Sequence, residues 1–256
     1  MYTIIYFSPT GNALHLANKV SNYFGHKVSQ VLPLEFVDVD KLESDSHLIL
    51  LYPVHGFNAP RTVKNFVKKL PVGIYDNISL LAVGSSTIWV NHAVSGDLRK
   101  ELLRKNYNIL IDEILEMPLT FVMSFPDDKV EDLIEKSEKK IENICSTIEQ
   151  GYLSDYNPGI ASLAFNFLGK GESFAARLFG LELHANNNCV SCGKCWENCP
   201  ESNVKKSKSG KPKFGFDCLM CMRCIYNCPT HAIYSKNMQF CIINDGYNLK
   251  QIINHF

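Results

Sequence analysis

The sequence predicts an α/β protein in which a doubly wound, five-stranded parallel sheet precedes a small, cysteine-rich domain. Short apolar runs alternate with helical patterns over residues 1–150, which is typical of a parallel sheet covered by helices on both faces. Nine of the ten cysteines follow residue 188, and eight of them form two copies of the phrase C-x2-C-x2-C-x3-C-P. At 256 residues and 46% hydrophobic composition, the chain has room for one medium and one small domain.

The predicted strands are continuous apolar runs, as expected for strands whose two faces are both covered. They are Tyr2–Phe7, Val28–Leu32, His47–Tyr52, Ile78–Gly84 and Ile109–Met117. Apolar residues at three- and four-residue intervals predict the intervening helices. These are Asn12–Phe24, Pro60–Leu70, Ser95–Tyr107 and Asp127–Gln150.

The loop after the first predicted strand has the residues of an anion site. It reads Ser8-Pro9-Thr10-Gly11-Asn12-Ala13 and leads directly into a helix. The loop offers hydroxyl donors, a glycine that permits close backbone approach, and a helix N-terminus with free amides. A phosphate fits this pattern, although the same residue types also form ordinary turns and caps.

Two further loops follow the third and fourth predicted strands, at the edge of the sheet where doubly wound folds bind ligands. They span residues 53–60 and 84–92 and carry aromatic or imidazole rings beside small residues, which suits a planar ligand. Trp89 is the first candidate to flank such a ligand, followed by His55 and Phe57, and each ring could equally be a packing residue. No nucleophile or acid–base set accompanies His55 or His92, so neither is assigned a catalytic role.

The two cysteine runs predict two iron–sulfur clusters. Three thiolates spaced by two residues can wrap a cluster from one side, and in the bacterial form of this run the fourth cysteine binds the other cluster. The predicted ligand sets are therefore crossed. They are Cys189, Cys192, Cys195 and Cys228 for cluster I, and Cys199, Cys218, Cys221 and Cys224 for cluster II.

Zinc and disulfides are the alternatives for these cysteines. Structural zinc prefers two pairs of ligands, whereas each run here supplies a trio and a distant fourth. A disulfide framework implies an oxidising compartment, yet residues 1–6 contain neither a basic segment nor a cleavage site, so a reducing, cytoplasmic setting is expected. Cys145 and Cys241 lie outside both runs and are expected to be buried thiols.

Ser8, Thr10, Gly11 and Asn12 match the Ser/Thr-x-Thr-Gly-Asn-Thr/Ser phosphate loop of flavodoxins. With the double cysteine run, nearly the whole chain resembles the fused flavodoxin–ferredoxin proteins of the EFR1 family. The resemblance implies a flavodoxin-like sheet of order 2-1-3-4-5, an α+β ferredoxin-like domain with two 4Fe–4S clusters, and one FMN. The FMN-binding residues that it implies are Ser8, Thr10, Gly11, Asn12, Ala13, Pro53, Val54, His55, Gly56, Phe57, Gly84, Ser85 and Trp89. Ala13 departs from the pattern, which removes one hydroxyl donor to the phosphate.

The expected domains are an FMN-binding domain at 1–150, a helical linker at 151–187 and a cluster domain at 188–256. The linker has an apolar stripe at Ile160, Leu163, Ala164, Phe167 and Leu168 that resumes at Phe174, Leu178 and Phe179. Because its polar face lacks the lysines and arginines of an interfacial membrane helix, the stripe is expected to dock the domains together.

The segment between the cysteine runs, residues 203–217, reads as a hairpin with Ser209-Gly210 at its tip. Its lysines are Lys205, Lys206, Lys208, Lys211 and Lys213. They could steer an acidic redox partner, or they could be the solvated lysines that commonly protect a sheet edge. Over the whole chain, 26 basic residues balance 26 acidic ones, so a nucleic-acid partner is not expected, and no run is long enough to span a membrane.

These features predict an electron carrier that passes electrons between FMN, two 4Fe–4S clusters and partner redox proteins. The absence of a G-x-G-x-x-G motif gives no dedicated nicotinamide site, so protein donors and acceptors are expected. A flavin-dependent oxidoreductase acting on a small substrate and a redox sensor remain alternatives, and a homo-oligomer stays open.

Overall fold

The computed structural model describes residues 1–87, 91–153, 156, 159–243, 246–247, 249 and 253. The chain forms two compact units. The first comprises Met1–Ser8, Asn12–Pro118 and Asp127–Lys170, and the second comprises Pro9–Gly11, Leu119–Pro126 and Gly171–Phe256.

The first unit alternates strands and helices. The strands are β1 (Tyr2–Tyr6), β2 (Val28–Pro33), β3 (Asp45–Pro53), β4 (Tyr75–Gly84) and β5 (Asn108–Glu116). The helices are α1 (Asn12–Phe24), α2 (Arg61–Lys69), α3 (Gly96–Arg104) and α4 (Asp127–Gln150), followed by α5 (Gly159–Glu182), which continues into the second unit.

The five strands form one parallel sheet in the order β2-β1-β3-β4-β5, which confirms the predicted sheet and its order. The crossover β1-α1-β2 runs in one direction along the sheet and the crossovers from β3 to β5 run in the other. Because such crossovers are right-handed, α1 and the pair α2 and α3 cover opposite faces. The central strands are consequently the core, and Leu48 to Tyr52 of β3 are completely or almost completely buried.

The predicted element bounds agree with the structure within three residues. Strand β3 begins at Asp45 and β4 at Tyr75, which pair with each other, so the sheet extends past the apolar runs that marked the strands in the sequence. Helix α3 is shorter than predicted because Asn106 takes a left-handed conformation, with φ of 60°, that no α-helix accommodates. Helices α1 and α4 have the predicted bounds.

The second unit contains two small antiparallel sheets and two short helices. Strand β6 (Leu183–Ala185) pairs with β9 (Ile233–Ser235), and β7 (Val204–Lys206) pairs with β8 (Pro212–Phe214). The helices are α6 (Lys194–Glu197) and α7 (Arg223–Tyr226). The predicted hairpin is confirmed: the amide of Gly210 donates to the carbonyl of Ser207 at its tip. A compact apolar core includes Phe179, Leu183, Val204, Phe214 and Ile225.

Helix α5 buries only the end of the predicted stripe, at Phe179, which is 1% exposed in the core of the second unit. Its predicted docking stripe is largely exposed, since Ile160 is 89% and Phe167 69% accessible. Within the first unit the buried face is polar and small, with Ser162 and Asn166 almost inaccessible. Hydrogen bonds from Asn166, which a hydropathy pattern does not register, hold this face in place. Among the described residues, no helix has both the length and the apolar character needed to cross a bilayer.

A buried histidine in β3 makes the stability of the first unit dependent on pH. His47 is 4% exposed, and its Nε2 atom lies 2.8 Å from the Ser79 hydroxyl. Burial lowers the pKa of His47 to about 4, against a smaller opposing effect of the Asp45 carboxylate. The unfolded chain therefore binds a proton below its ordinary pKa of about 6.5 that the folded protein does not bind, and this stability is lost as the pH falls towards 4.

We expect the free energy of unfolding to fall by about 2 kcal/mol more between pH 7 and pH 5 in the wild type than in His47→Gln. Urea unfolding of the metal-free protein, followed by far-UV circular dichroism at both pH values, measures the difference. His26→Gln, which removes an exposed histidine, should keep the wild-type dependence. An equal dependence in wild type and His47→Gln would contradict the assignment.

Candidate functional site

Loops after β1, β3 and β4 begin at the same edge of the first unit, because the carboxyl ends of neighbouring parallel strands lie side by side. The amide of Phe7 donates to Leu51, and that of Val54 donates to Val83, which extends the ladder past the strand ends. Each loop therefore starts from a fixed backbone position, as a ligand site needs.

The loop after β1 is held by its own side chains. The Ser8 hydroxyl accepts a hydrogen bond from the Leu14 amide at 3.0 Å in the first turn of α1, and the Asn12 side chain donates to the Pro118 carbonyl at 2.9 Å. Gly11 has φ of 107°, a conformation that favours glycine. Ser8 and Asn12 thus shape the loop, while the first amides of α1 remain the groups suited to an anion.

Leu249 lies beside this loop in the second unit. A Cβ atom added to Gly11 would be 3.4 Å from the Leu249 Cβ atom, and Leu249 is 4% exposed. The predicted site residue Ala13 is also buried, at 2% exposure, on the inner face of α1. Gly11 is therefore packed by an apolar side chain of its own unit.

The loop after β3 makes a tight turn at the predicted ligand residues. His55 and Asn58 exchange both backbone hydrogen bonds at 2.9 Å, and Gly56 and Phe57 between them both have positive φ. The Phe57 ring meets the Phe165 ring of α5 edge to face, with centroids 5.3 Å apart. Phe57 therefore serves packing within the first unit, one of the two roles that the sequence left open.

Helix α5 fixes this turn through a reciprocal pair of asparagines that the sequence did not single out. Asn58 donates to the Asn166 carbonyl at 2.7 Å, and Asn166 donates to the Asn58 side-chain oxygen at 2.9 Å and to the carbonyls of Phe57 and Ala93. A Cβ atom at Gly169 would lie 1.8 Å from the Gly56 carbonyl oxygen, so helix and turn are in backbone contact. Glycine at position 169 is required by this contact.

The loop after β4 is held by Glu116 at the end of β5. The Glu116 carboxylate accepts from the Thr87 amide at 2.7 Å and from its hydroxyl at 3.1 Å. Gly84 faces Val54, and Asn91 donates to the Ser86 carbonyl. The predicted ring residue Trp89 lies outside the described residues. The described parts of the loops after β3 and β4 thus contact each other within one unit.

The two histidines of these loops have different surroundings. His92 is exposed, and its Nε2 atom lies 3.2 Å from the Thr87 carbonyl. His55 keeps partial exposure, yet burial lowers its pKa to about 4 because a charged ring is disfavoured there. His55 is therefore neutral near pH 7, consistent with a packing or hydrogen-bonding role.

In the second unit, the eight cysteines of the two runs surround two separate cavities. The first cysteine group is Cys189, Cys192, Cys195 and Cys228, all lining one cavity. The second cysteine group is Cys199, Cys218, Cys221 and Cys224, all lining the other. The structure thus brings together three cysteines of one run with the last cysteine of the other in both cases. The two remaining cysteines, Cys145 and Cys241, are buried elsewhere, as expected.

The two runs fold alike. Six residues with positive φ fall at matching places, two, four and thirteen residues after the first cysteine of each run. They are Ser191, Gly193 and Ser202 in the first run and Met220, Met222 and His231 in the second. Helices α6 and α7 also occupy equivalent places, so the sequence repeat is a repeat of backbone conformation.

Backbone amides point at three of the sulfur atoms. The amides of Asn203 and Ala232 donate to the Sγ atoms of Cys199 and Cys228 at 3.3 Å, at equivalent positions in the two runs, and the Met220 amide donates to Cys218. Amide donors of this kind favour the thiolate form and tune a metal cluster. For Cys228, burial raises the thiol pKa, but hydrogen bonds led by that from Ala232 outweigh it and lower the pKa.

Other thiols of the two cysteine groups have raised pKa values. Burial raises the pKa of Cys195 and of Cys221 to about 11, and it raises that of Cys224 well above its ordinary value, where neighbouring Cys221, Cys218 and Cys199 add to the effect. Thiols this close together and this poorly solvated are neutral in metal-free protein at pH 7. Binding a metal would release their protons, and the positive charge of the metal would offset the repulsion between the resulting thiolates.

Asn203 is a further site residue that the sequence analysis missed. It is 7% exposed and lines the cavity of the second cysteine group. Its side-chain oxygen accepts from the Asp217 amide at 2.6 Å and its carbonyl from the Gly215 amide, so it joins the ends of the hairpin. Asn203 follows Cys199 by four residues, just as Ala232 follows Cys228. This shared position in the repeat is the only sequence signal for Asn203.

The donor chemistry fits clusters better than single ions. Among the described residues, no three His, Cys, Asp or Glu side chains converge closely enough to hold one metal ion. In a 4Fe–4S cluster each thiolate binds a different iron, so four thiols surround a volume, as each cysteine group does here. The apolar wall of the second cavity, which includes Phe179, Leu183 and Ile225, would exclude water from such a group.

No protein-family model and no curated protein matches the chain. Among solved structures, a flavodoxin of Fusobacterium nucleatum bound to flavin mononucleotide matches over 59% of this chain and 98% of its own, at 11% identity and a TM-score of 0.43. Oxidised flavodoxin 2 of Bacillus cereus matches over 59% of this chain and 99% of its own, at 18% identity and a TM-score of 0.42. The apo form of an NADH:FMN oxidoreductase matches over 61% of this chain and 96% of its own, at 16% identity and a TM-score of 0.42. The strand order of this chain, rather than these low scores, establishes its fold.

Helix α5 also packs closely on the second cysteine group, which gives a test of that geometry. A Cβ atom at Gly180 would lie 2.4 Å from the Cys218 Cβ atom and 2.8 Å from the Gly215 carbonyl oxygen. We expect Gly180→Ala to displace Cys218 and to lower the iron content of anaerobically purified protein by about half, since Cys218 belongs to one of the two cysteine groups. Iron is measured by colorimetric assay against protein.

Gly171→Ala is the matched control on the same helix, because nothing lies within 4 Å of the added Cβ atom. This variant should keep wild-type iron and gain about 0.5–1 kcal/mol in stability from the better helix former. Equal iron contents in the two variants would contradict the contact.

Proposed function

We propose that the chain is an electron-transfer iron–sulfur flavoprotein, a flavodoxin–ferredoxin fusion that binds one FMN and two 4Fe–4S clusters. One observation carries the cluster part of the proposal. Eight cysteines divide around two cavities in crossed sets of four, with three from one run and the last from the other. Structural zinc sites built from knuckles take their ligands as two pairs. Three cysteines from one run and the last from the other is instead the arrangement of bacterial two-cluster ferredoxins.

The residues around the thiols have roles in this proposal. The eight cysteines would hold the iron, and the amides of Asn203, Met220 and Ala232 would stabilise negative charge on the sulfur atoms. Phe179 and Phe214 would keep water from the second group. Crossed ligation would also make each cysteine run dependent on the other.

The FMN part rests on the loop after β1 and its match to the flavodoxin phosphate pattern. The Ser8 hydroxyl and the Asn12 side chain hold the loop, Gly11 supplies the left-handed backbone, and the first amides of α1 would bind the phosphate. The rigid turn at His55–Asn58 and the described residues after β4 would contact the ring system. When bound, FMN exchanges two electrons and each cluster passes one at a time.

The crossed ligand sets can be tested with two double variants. In Cys199→Ala/Cys221→Ala both changes fall in the second cysteine group, so one cluster should remain and iron should fall from about eight to about four per chain. In Cys192→Ala/Cys199→Ala the changes fall in different groups, and both clusters should be lost. Iron and zinc are measured by mass spectrometry on protein purified without air.

Uncrossed ligation within each run predicts the reverse order of iron contents, so the pair of variants discriminates the two arrangements. Wild-type protein that contains zinc and no iron would overturn the cluster proposal.

The phosphate site can be tested by restoring a hydroxyl to α1. Ala13 stands where the flavodoxin pattern has Ser or Thr, so Ala13→Ser should add one hydrogen bond to the phosphate and lower the FMN dissociation constant about tenfold. Quenching of flavin fluorescence during titration of the apoprotein measures the affinity.

Ala17→Ser places the same hydroxyl one turn further along the buried face of α1. It should leave FMN affinity at or below the wild-type value. Equal affinities for all three proteins would contradict a phosphate at the start of α1.

A further inference from the structure

We propose that the β7–β8 hairpin is the docking surface for an acidic one-electron redox protein, which it holds beside the first cysteine group. This inference rests on the proposed function, since it names the partner class that would exchange electrons with that group.

The hairpin presents an uncompensated positive surface. Lys205, Lys206, Lys208 and Lys213 are exposed, and none of them forms an ion pair with another residue in the described part of the chain. Residues 186–214 contain six lysines and only two glutamates. An acidic surface meeting this patch would gain electrostatic complementarity without displacing internal partners.

The lysines of the hairpin are arranged in a way that lowers its stability. Lysines that only protect a sheet edge do not need such an arrangement. Lys205 and Lys213 are direct register partners across the two strands, and like charges in opposite positions repel. Lysines that only kept other strands away could alternate with neutral or acidic partners across the ladder. An anionic partner would relieve the repulsion, so binding energy is available at this pair.

The hairpin lies against both cysteine groups, with Val204 and Phe214 at the second cavity and Pro212 at the first. Pro212 of β8 lines the same cavity as its four cysteines, and a Cβ atom at Gly210 would lie 3.3 Å from the Ser191 hydroxyl, between Cys189 and Cys192. Lys211 anchors the tip by donating to Asn186 and Asn187 at 3.2 Å. The lysine surface is therefore joined to the cysteine loop.

Solvent access distinguishes the first cysteine group from the second. Cys192 is exposed, whereas the other seven cysteines of the two runs are partly covered. Electron transfer between proteins slows steeply with distance, so a partner held by the hairpin would stand nearest the most accessible ligand. A cluster held by the first cysteine group would supply one electron, and the acceptor would take it up, with no bond or proton transferred.

Rubredoxin, a small acidic one-iron electron carrier, is a suitable probe, and basic cytochrome c is its counterpart. The hairpin variant carries Lys205→Gln, Lys206→Gln, Lys208→Gln and Lys213→Gln. The control variant loses the same charge from exposed positions on α2 and α4 through Lys68→Gln, Lys69→Gln, Lys136→Gln and Lys139→Gln. Binding is measured by biolayer interferometry, and reduction of rubredoxin by the dithionite-reduced protein is measured by anaerobic stopped flow.

We expect the hairpin variant to bind rubredoxin at least about tenfold more weakly than wild type and to reduce it correspondingly more slowly at low salt, with the control within about twofold of wild type. Raising salt from about 0.01 M to about 1 M shortens the Debye length from ~30 Å to ~3 Å and should abolish the difference. Equal losses in the two variants, salt-independent binding, or equally tight binding of cytochrome c would overturn the docking surface.

Failure of this inference is distinguishable from failure of the proposed function. Iron-loaded protein with equal rubredoxin binding in the two variants overturns the docking surface alone. Protein without iron overturns the proposed function and, with it, the electron-transfer role of the surface, whatever the binding result.

Discussion

The second unit depends on a backbone constraint, namely that both cysteine runs turn through left-handed residues at the same three positions. Five of the six residues are not glycine, and each such residue costs roughly 1–2 kcal/mol compared with a right-handed conformation. These turns direct backbone amides at sulfur atoms. They also bring the last cysteine of each run to the first three cysteines of the other run. Because these thiols are neutral without metal, a bound metal group would displace their protons, and its binding to the folded arrangement would stabilise the whole unit.

The first unit meets a different requirement, the holding of loops at one edge of a sheet. Parallel strands bring the loops together, but their conformations come from polar contacts with neighbouring elements. Asn166 fixes the turn after β3, and Glu116 fixes the loop after β4. The close approach at Gly169 shows why a helix outside the sheet matters, since its backbone rests on the turn itself. Side chains that hold loops in this way leave backbone amides as the natural ligands for an anion.

The sheet was predictable because covered parallel strands are continuous apolar runs, and its order was implied by the resemblance of the loop after β1 to that of flavodoxins. The bounds of α1 and α4 followed from strong periodicity. Docking of the domains by the apolar stripe of α5 stays a prediction. Hydropathy ranks Ile160 and Phe167 above Asn166, so it did not indicate the asparagine, which makes four hydrogen bonds while the two apolar side chains are exposed. A single asparagine such as Asn203 has no pattern of its own, so its position within the repeat was its only signal.

The two cysteine runs differ in the strand that pairs with the end of each run. Strands β7 and β9 occupy equivalent positions, each beginning fifteen residues after the first cysteine of its run, but their partners differ. Strand β7 pairs with the lysine-bearing β8, whereas β9 pairs with β6, and Lys205 and Lys206 correspond to Tyr234 and Ser235. Without this difference, the surfaces beside the first and second cysteine groups would be alike. An acidic protein bound at the lysines would have its most direct access to the first cysteine group, because Cys192 is exposed and the four cysteines of the second group are partly covered.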